Sequence, residues 1–95
     1  MAVIWSEAAV QDLQGIFDYV VEDSPQNALL VDTRICEQTD ELVRFPALGR
    51  PGQFEGTREL IIQRTPYIAI YRVEEDDTIR VVRILHAAQE WPSVM

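Results

Sequence analysis

The chain has 95 residues, a formal net charge of −8, a 47% hydrophobic fraction, one cysteine and one histidine, and all eight of its cationic side chains are arginines. That length supports a single domain over residues 1–95 with one small core, burying roughly 60–65% of the unfolded surface, and the composition carries neither a low-complexity tract nor a repeat. One cysteine excludes an intrachain disulfide and a cysteine-rich zinc site, one histidine excludes a multi-histidine metal centre, and the surplus of acids opposes binding to free nucleic acid, where affinity comes mainly from cations replacing phosphate counterions.

The chain opens on AVIW at 2–5, a short apolar run that reads as a buried strand. With no basic start ahead of it and no apolar run long enough to span a bilayer, neither a secretion signal nor a membrane association is expected, and the cytoplasm is the expected compartment. Ser6 offers a helix N-cap with Glu7 in the favourable first turn. Val10, Leu13, Phe17 and Val20 recur at helical spacing and predict one apolar face on a helix of four or five turns. Asp23-Ser24-Pro25 interrupts it: Ser24 can cap a second helix and Pro25 suits its first position. Ala28, Val31, Ile35 and Leu42, with Leu29 and Cys36 beside them, give that helix an apolar face to about Arg44, before Phe45-Pro46. Two helices joined so tightly pack as a hairpin.

ALGRPGQFEG at 47–56 reads as an exposed loop. Three strands follow at 57–63, 67–74 and 78–85, separated by Arg64-Thr65-Pro66 and the acidic turn Glu75-Asp76-Asp77. The order β-α-α-β-β-β implies an α+β fold, a helical hairpin packed on one face of a small, mainly antiparallel sheet, with the other face left partly open. Strict alternation in 78–85 places Ile79, Val81, Arg83 and Leu85 on one side and Arg80, Val82, Ile84 and His86 on the other.

Charge is distributed unevenly. Residues 1–41 sum to −8, residues 42–73 to +3 and the rest to −3. Arg58, Arg72 and Arg83 are therefore expected to form an electropositive part of the open sheet face, suited to carboxylate or phosphate; taken singly, each is more simply explained as half of a surface salt bridge. His86 at the end of the last strand is either an ordinary hydrogen-bonded side chain or a proton carrier near neutral pH. Trp91-Pro92 docks the tail on the domain or joins a binding surface. No phosphate-binding glycine loop, serine-nucleophile elbow or zinc spacing occurs, and no cofactor is expected.

IWSEAAVQDLQGIFDYV, FPALGRPG, GTREL, PYIAIYRV and RILHAAQEWP, in that order over nearly the whole chain, resemble the RelE/ParE toxins of bacterial type II toxin–antitoxin modules. The resemblance implies the same element order and a growth-inhibiting toxin silenced by a cognate antitoxin. It also implies one of two activities: binding to DNA gyrase or a similar target, as in ParE-like members, or ribosome-dependent cleavage of mRNA without a metal, as in RelE-like members. RelE-like nucleases supply cations in the second and third strands and at the chain end. Here Arg58 matches the first, Ile68 stands where the third strand would carry an arginine, and Arg83 and His86 are left for the last. PYIAIYRV and ILHAAQEWP look closer to ParE-like members, so gyrase ranks ahead of the ribosome. The expected target- or antitoxin-binding set is Arg58, Tyr67, Tyr71, Arg72, Arg83, His86 and Trp91.

Overall fold

The computed structural model describes residues 2–93. Along the chain run β1 (Val3–Trp5), α1 (Glu7–Asp23), α2 (Pro25–Asp40), a 3-10 turn (Glu41–Val43), β2 (Arg50–Pro51), β3 (Arg58–Ile61), β4 (Tyr67–Val73) and β5 (Ile79–His86). The strands make one sheet in the order β1-β5-β4-β3-β2. β1 runs parallel to β5, whereas the other three pairings are antiparallel. This is the α+β arrangement that the element order implies, with β2 as an extra short edge strand inside the segment expected to be loop.

The helix boundaries follow from capping. The Ser6 hydroxyl accepts from the Ala9 N–H at 3.0 Å and donates to the Val82 carbonyl at 2.7 Å, so the residue that starts α1 also ties it to β5. Ser24 closes α1 through its N–H to the Val20 carbonyl and opens α2 through its hydroxyl, which accepts from the Asn27 N–H, with Pro25 in the first turn. α2 stops at Asp40 rather than Arg44 because its last turn tightens into the 3-10 segment that buries Leu42.

The inward face of α1 is rotated from the expected one. Ala9 is buried and Leu13 and Ile16 pack on the core, while Val10 is 54% exposed; a small residue lets the helix approach the sheet closely, and Val10 falls outside that contact. On α2, Ala28, Ile35 and Thr39 are buried, Leu29 is exposed and Cys36 is half-buried. Thr39 hides its hydroxyl by donating to the carbonyls of Ile35 and Cys36.

β5 departs from strict alternation. Ile70 pairs with Arg83 but Tyr71 pairs with Val81, which leaves Val82 as the extra residue of a β-bulge. The bulge resets the period, so Ile79, Val81 and Ile84 all enter the core with Tyr67, Ala69 and Tyr71. The other side of the sheet is also less open than expected. Ile68 and Ile70, on the face opposite Ala69 and Tyr71, are buried, and Phe54 of the β2–β3 loop stacks on Trp91 of the tail with centroids 6.4 Å apart.

The loop before β2 is fixed by one buried phenol. The Tyr71 hydroxyl accepts from the Gly49 N–H at 2.9 Å and donates to the Pro46 carbonyl at 2.6 Å. Gly49 is obligatory there, since a Cβ would lie 2.7 Å from the Tyr71 ring and 2.8 Å from the Glu59 carbonyl oxygen. Tyr71→Phe is expected to lower stability by about 1–3 kcal/mol in urea unfolding, because it strands the buried Gly49 N–H and the Pro46 carbonyl while removing almost no apolar contact.

Candidate functional site

β1 accompanies β5 only from Ile79 to Val81. Beyond that point the outer edge of β5 faces side chains of α1, and the two elements border a groove of about 600 Å³ lined by Asp12, Gly15, Ile16 and Tyr19 on the helix and by Tyr67 and His86 on the sheet. Its charged side chains, Asp12 and Arg83, are paired with each other. Asp12 Oδ2 accepts from Arg83 Nε at 2.7 Å and from the Ile84 N–H at 3.0 Å, and its Oδ1 accepts from Arg83 Nη2 at 3.0 Å. This bidentate pair is mostly shielded from water, and the hydrogen bond to Asp12 raises the Arg83 pKa further above its ordinary value.

Opposite Asp12, the Tyr67 and His86 rings meet edge to face at 5.4 Å. Burial, then the neighbouring Tyr19, raises the Tyr67 pKa, so its phenol stays protonated near neutrality. His86 Nδ1 accepts from the Ala88 N–H at 3.0 Å. The His86 carbonyl takes the Trp91 indole N–H at 2.9 Å, docking the tail at the groove's end. In the middle of α1, Gly15 costs about 0.8–1.0 kcal/mol relative to alanine, and a Cβ at that position would meet nothing within 4 Å.

The groove thus brings together Tyr67, Arg83 and His86 of the expected residues. It does not gather the others, and the expected patch of Arg58, Arg72 and Arg83 on one open face does not exist. Arg58 sits opposite Tyr71 in the register and donates Nη1 to the Gly49 carbonyl at 2.6 Å. Arg72 lies opposite Arg80, whose guanidinium pairs with Glu74 at 3.0 Å. Arg83 is held by Asp12 beside the bulge. Tyr71 is wholly buried as a structural residue, and Trp91 borders a separate hollow with Ile68, Arg50 and Glu59.

Asp12 was hidden from sequence reasoning because it resembles any other acid on a solvated helix; its only signal is a place one turn after Ala9 and one turn before Ile16. A second unanticipated device ties α2 to the turn between β3 and β4. The Gln38 amide accepts from the Gln63 N–H at 2.6 Å and donates to the Gln63 carbonyl at 3.1 Å, and Arg34 donates to the Arg64 carbonyl. Burial, then Asp32 and Asp40, pushes the Cys36 thiol up, which disfavours a reactive thiolate. Among the described residues no group of His, Cys, Asp and Glu is placed to hold a metal ion, and no helix is long and apolar enough to cross a membrane.

Because one carboxylate serves the bulge, the strand edge and Arg83, Asp12→Ala is expected to destabilise the fold by about 2–4 kcal/mol, the upper end being set by the partly shielded cation it leaves behind. Asp12→Asn keeps one acceptor and should lose less. Chemical denaturation of the two variants checks that order, and equal losses would mean that the charge contributes nothing.

Residues 3–91 match the family described as ParE toxin of type II toxin-antitoxin system, parDE. A relative named Y4kP from Sinorhizobium fredii is 38% identical over 91 residues, covering 96% of this chain and 93% of its own length. Toxin RelE2 of Caulobacter vibrioides is 36% identical over 87 residues, covering 92% and 96%. Among solved structures, a chain of the chromosomal ParDE toxin–antitoxin system of P. aeruginosa superimposes with a TM-score of 0.79 at 36% identity, over 90% of this chain and 95% of that one.

Proposed function

The chain belongs to the ParE toxin family of type II toxin–antitoxin systems, and we propose that it arrests growth in the cytoplasm by binding a cellular target such as DNA gyrase, and that a cognate antitoxin neutralises it by seating a segment in the groove between α1 and β5. The observation that carries the reading of a binder rather than a nuclease is the Asp12–Arg83 pair. Cleaving RNA without a metal requires cations free to stabilise a crowded phosphate and a group free to carry a proton. Arg83 is neutralised by its carboxylate, Arg58 is turned to a backbone carbonyl and His86 Nδ1 is occupied by a backbone N–H. Ile68, at the position where a nuclease would carry an arginine, is buried.

An antitoxin partner is supported by the ParDE neighbour, itself a toxin–antitoxin system. The groove offers the antitoxin an apolar floor at Ile16, aromatic walls at Tyr19 and Tyr67, and the ring of His86. Arg72, without a carboxylate partner among the described residues, remains on the opposite face for the target. The likeness to Toxin RelE2 supports a second reading, a ribosome-dependent mRNA endonuclease.

Two assays separate them. The purified chain should inhibit supercoiling by gyrase, and it should leave mRNA intact on translating ribosomes. His86→Gln should weaken growth arrest only modestly, because one side chain in a broad interface rarely dominates. Codon-specific cuts in mRNA that fall by about 10²–10⁴ in rate in His86→Gln would establish the nuclease instead.

A further inference from the structure

We propose that Gly15 is a specificity notch in the antitoxin groove: the cognate antitoxin seats a bulky side chain over the bare backbone of α1, on a segment that carries cationic residues beside that anchor. The inference rests on the reading of the groove as the antitoxin's seat, and adds to it the residue that selects the partner and the chemistry of the partner's segment.

The chain has four glycines. Three have reasons within the chain. A Cβ at Gly49 would collide with the Tyr71 ring, one at Gly52 would come within 2.5 Å of the Thr57 hydroxyl oxygen, and Gly56 has φ +76°. Gly15 has none of these. Its φ lies outside the left-handed region, and open space surrounds the missing Cβ. A glycine in mid-helix is unfavourable, and here no contact within the chain offsets it.

Its position shows what the space is for. Gly15 lies on the groove wall between Gln11 and Tyr19, one helical turn to either side. Tyr19 stands 71% exposed at the rim, a large aromatic ring with little intrachain cover beside a gap in the helix surface. That pairing suits an incoming side chain that enters the notch and packs against the tyrosine.

Charge identifies the rest of the segment. The cation bordering the groove, Arg83, is neutralised by Asp12. Asp18 and Glu22, one turn beyond Gly15 and Tyr19, are exposed and make no ion pair among the described residues. The facing segment is therefore apolar at its anchor and carries arginine or lysine at its flanks. A second copy of this chain would bring its own net charge of −8 to the same surface, which opposes self-association there.

The test titrates the full-length toxin with its full-length cognate antitoxin in a calorimeter and melts each toxin variant alone. Gly15→Ala should raise the Tm of the free toxin by about 4–8 °C while weakening antitoxin binding. Gly15→Phe should keep the wild-type circular dichroism spectrum and weaken binding by at least about 30-fold. Thr33→Phe, the same ring on an exposed position of α2 outside the groove, should bind within about threefold of wild type. Raising salt from about 0.05 to 0.5 M should weaken the wild-type complex. Wild-type affinity in a folded Gly15→Phe, or a Gly15→Ala that is not stabilised, overturns the notch while leaving the groove as the seat. Affinity unchanged or strengthened by salt overturns the cationic segment. If the wild-type toxin does not bind its antitoxin at all, the seat and the notch fall together.

Discussion

One carboxylate organises the side of the molecule on which the groove lies. β5 must serve two neighbours of different length, β4 along its whole run and β1 over three residues. Where β1 ends, a bulge shifts the strand's faces and leaves backbone groups pointing away from the sheet. Asp12 resolves both problems at once by accepting the Ile84 N–H and clamping the guanidinium of Arg83. The same bonds fix α1 against β5, so the width of the groove and the neutralisation of its cation have a single cause. With that cation paired, the role we propose for the groove is recognition rather than phosphate chemistry.

Similar internal pairing answers why an acidic chain concentrates arginines around its most sheet-like segment. Arg50 holds the buried carboxylate of Glu59, Arg80 meets Glu74, Arg83 meets Asp12, and Arg34 and Arg58 bond backbone carbonyls. Glu59 also accepts the Gln53 N–H, so its pair with Arg50 helps to shape the β2–β3 loop that brings Phe54 to Trp91. These guanidiniums serve as multi-donor braces, a role that their planar fork suits better than an ammonium does. The acids of the helical hairpin are largely left facing solvent.

Elements with a strong period were legible in the sequence. Both helices, their serine caps and the three long strands follow from local spacing and turn chemistry, and these together dictate the hairpin-on-sheet layout. What escaped depends on tertiary context. The bulge at Val82 has no local signature, since Arg80 through Arg83 alternates acceptably in either register, and it alone moved Ile84 into the core. β2 is two residues long and depends on contacts distant in sequence, the Glu59–Arg50 pair across the strands and the Tyr71 hydroxyl that holds Gly49 beside it. Of the site, Tyr67, Arg83 and His86 were visible as residues near strand ends. Asp12 and Gly15 were not, because an acid and a glycine on a helix acquire meaning only from what does or does not stand opposite them.

The Gln38–Gln63 contact has a consequence for the chain over time. Just past the end of β3, the Gln38 amide takes up both backbone groups of Gln63, donor and acceptor together. Hydrolysis of that amide to a carboxylate, a slow covalent ageing reaction, would preserve the acceptor and delete the donor, replacing attraction to the Gln63 carbonyl with repulsion between two oxygens. Such ageing of one glutamine far from the groove would loosen the tie between α2 and the turn that follows β3.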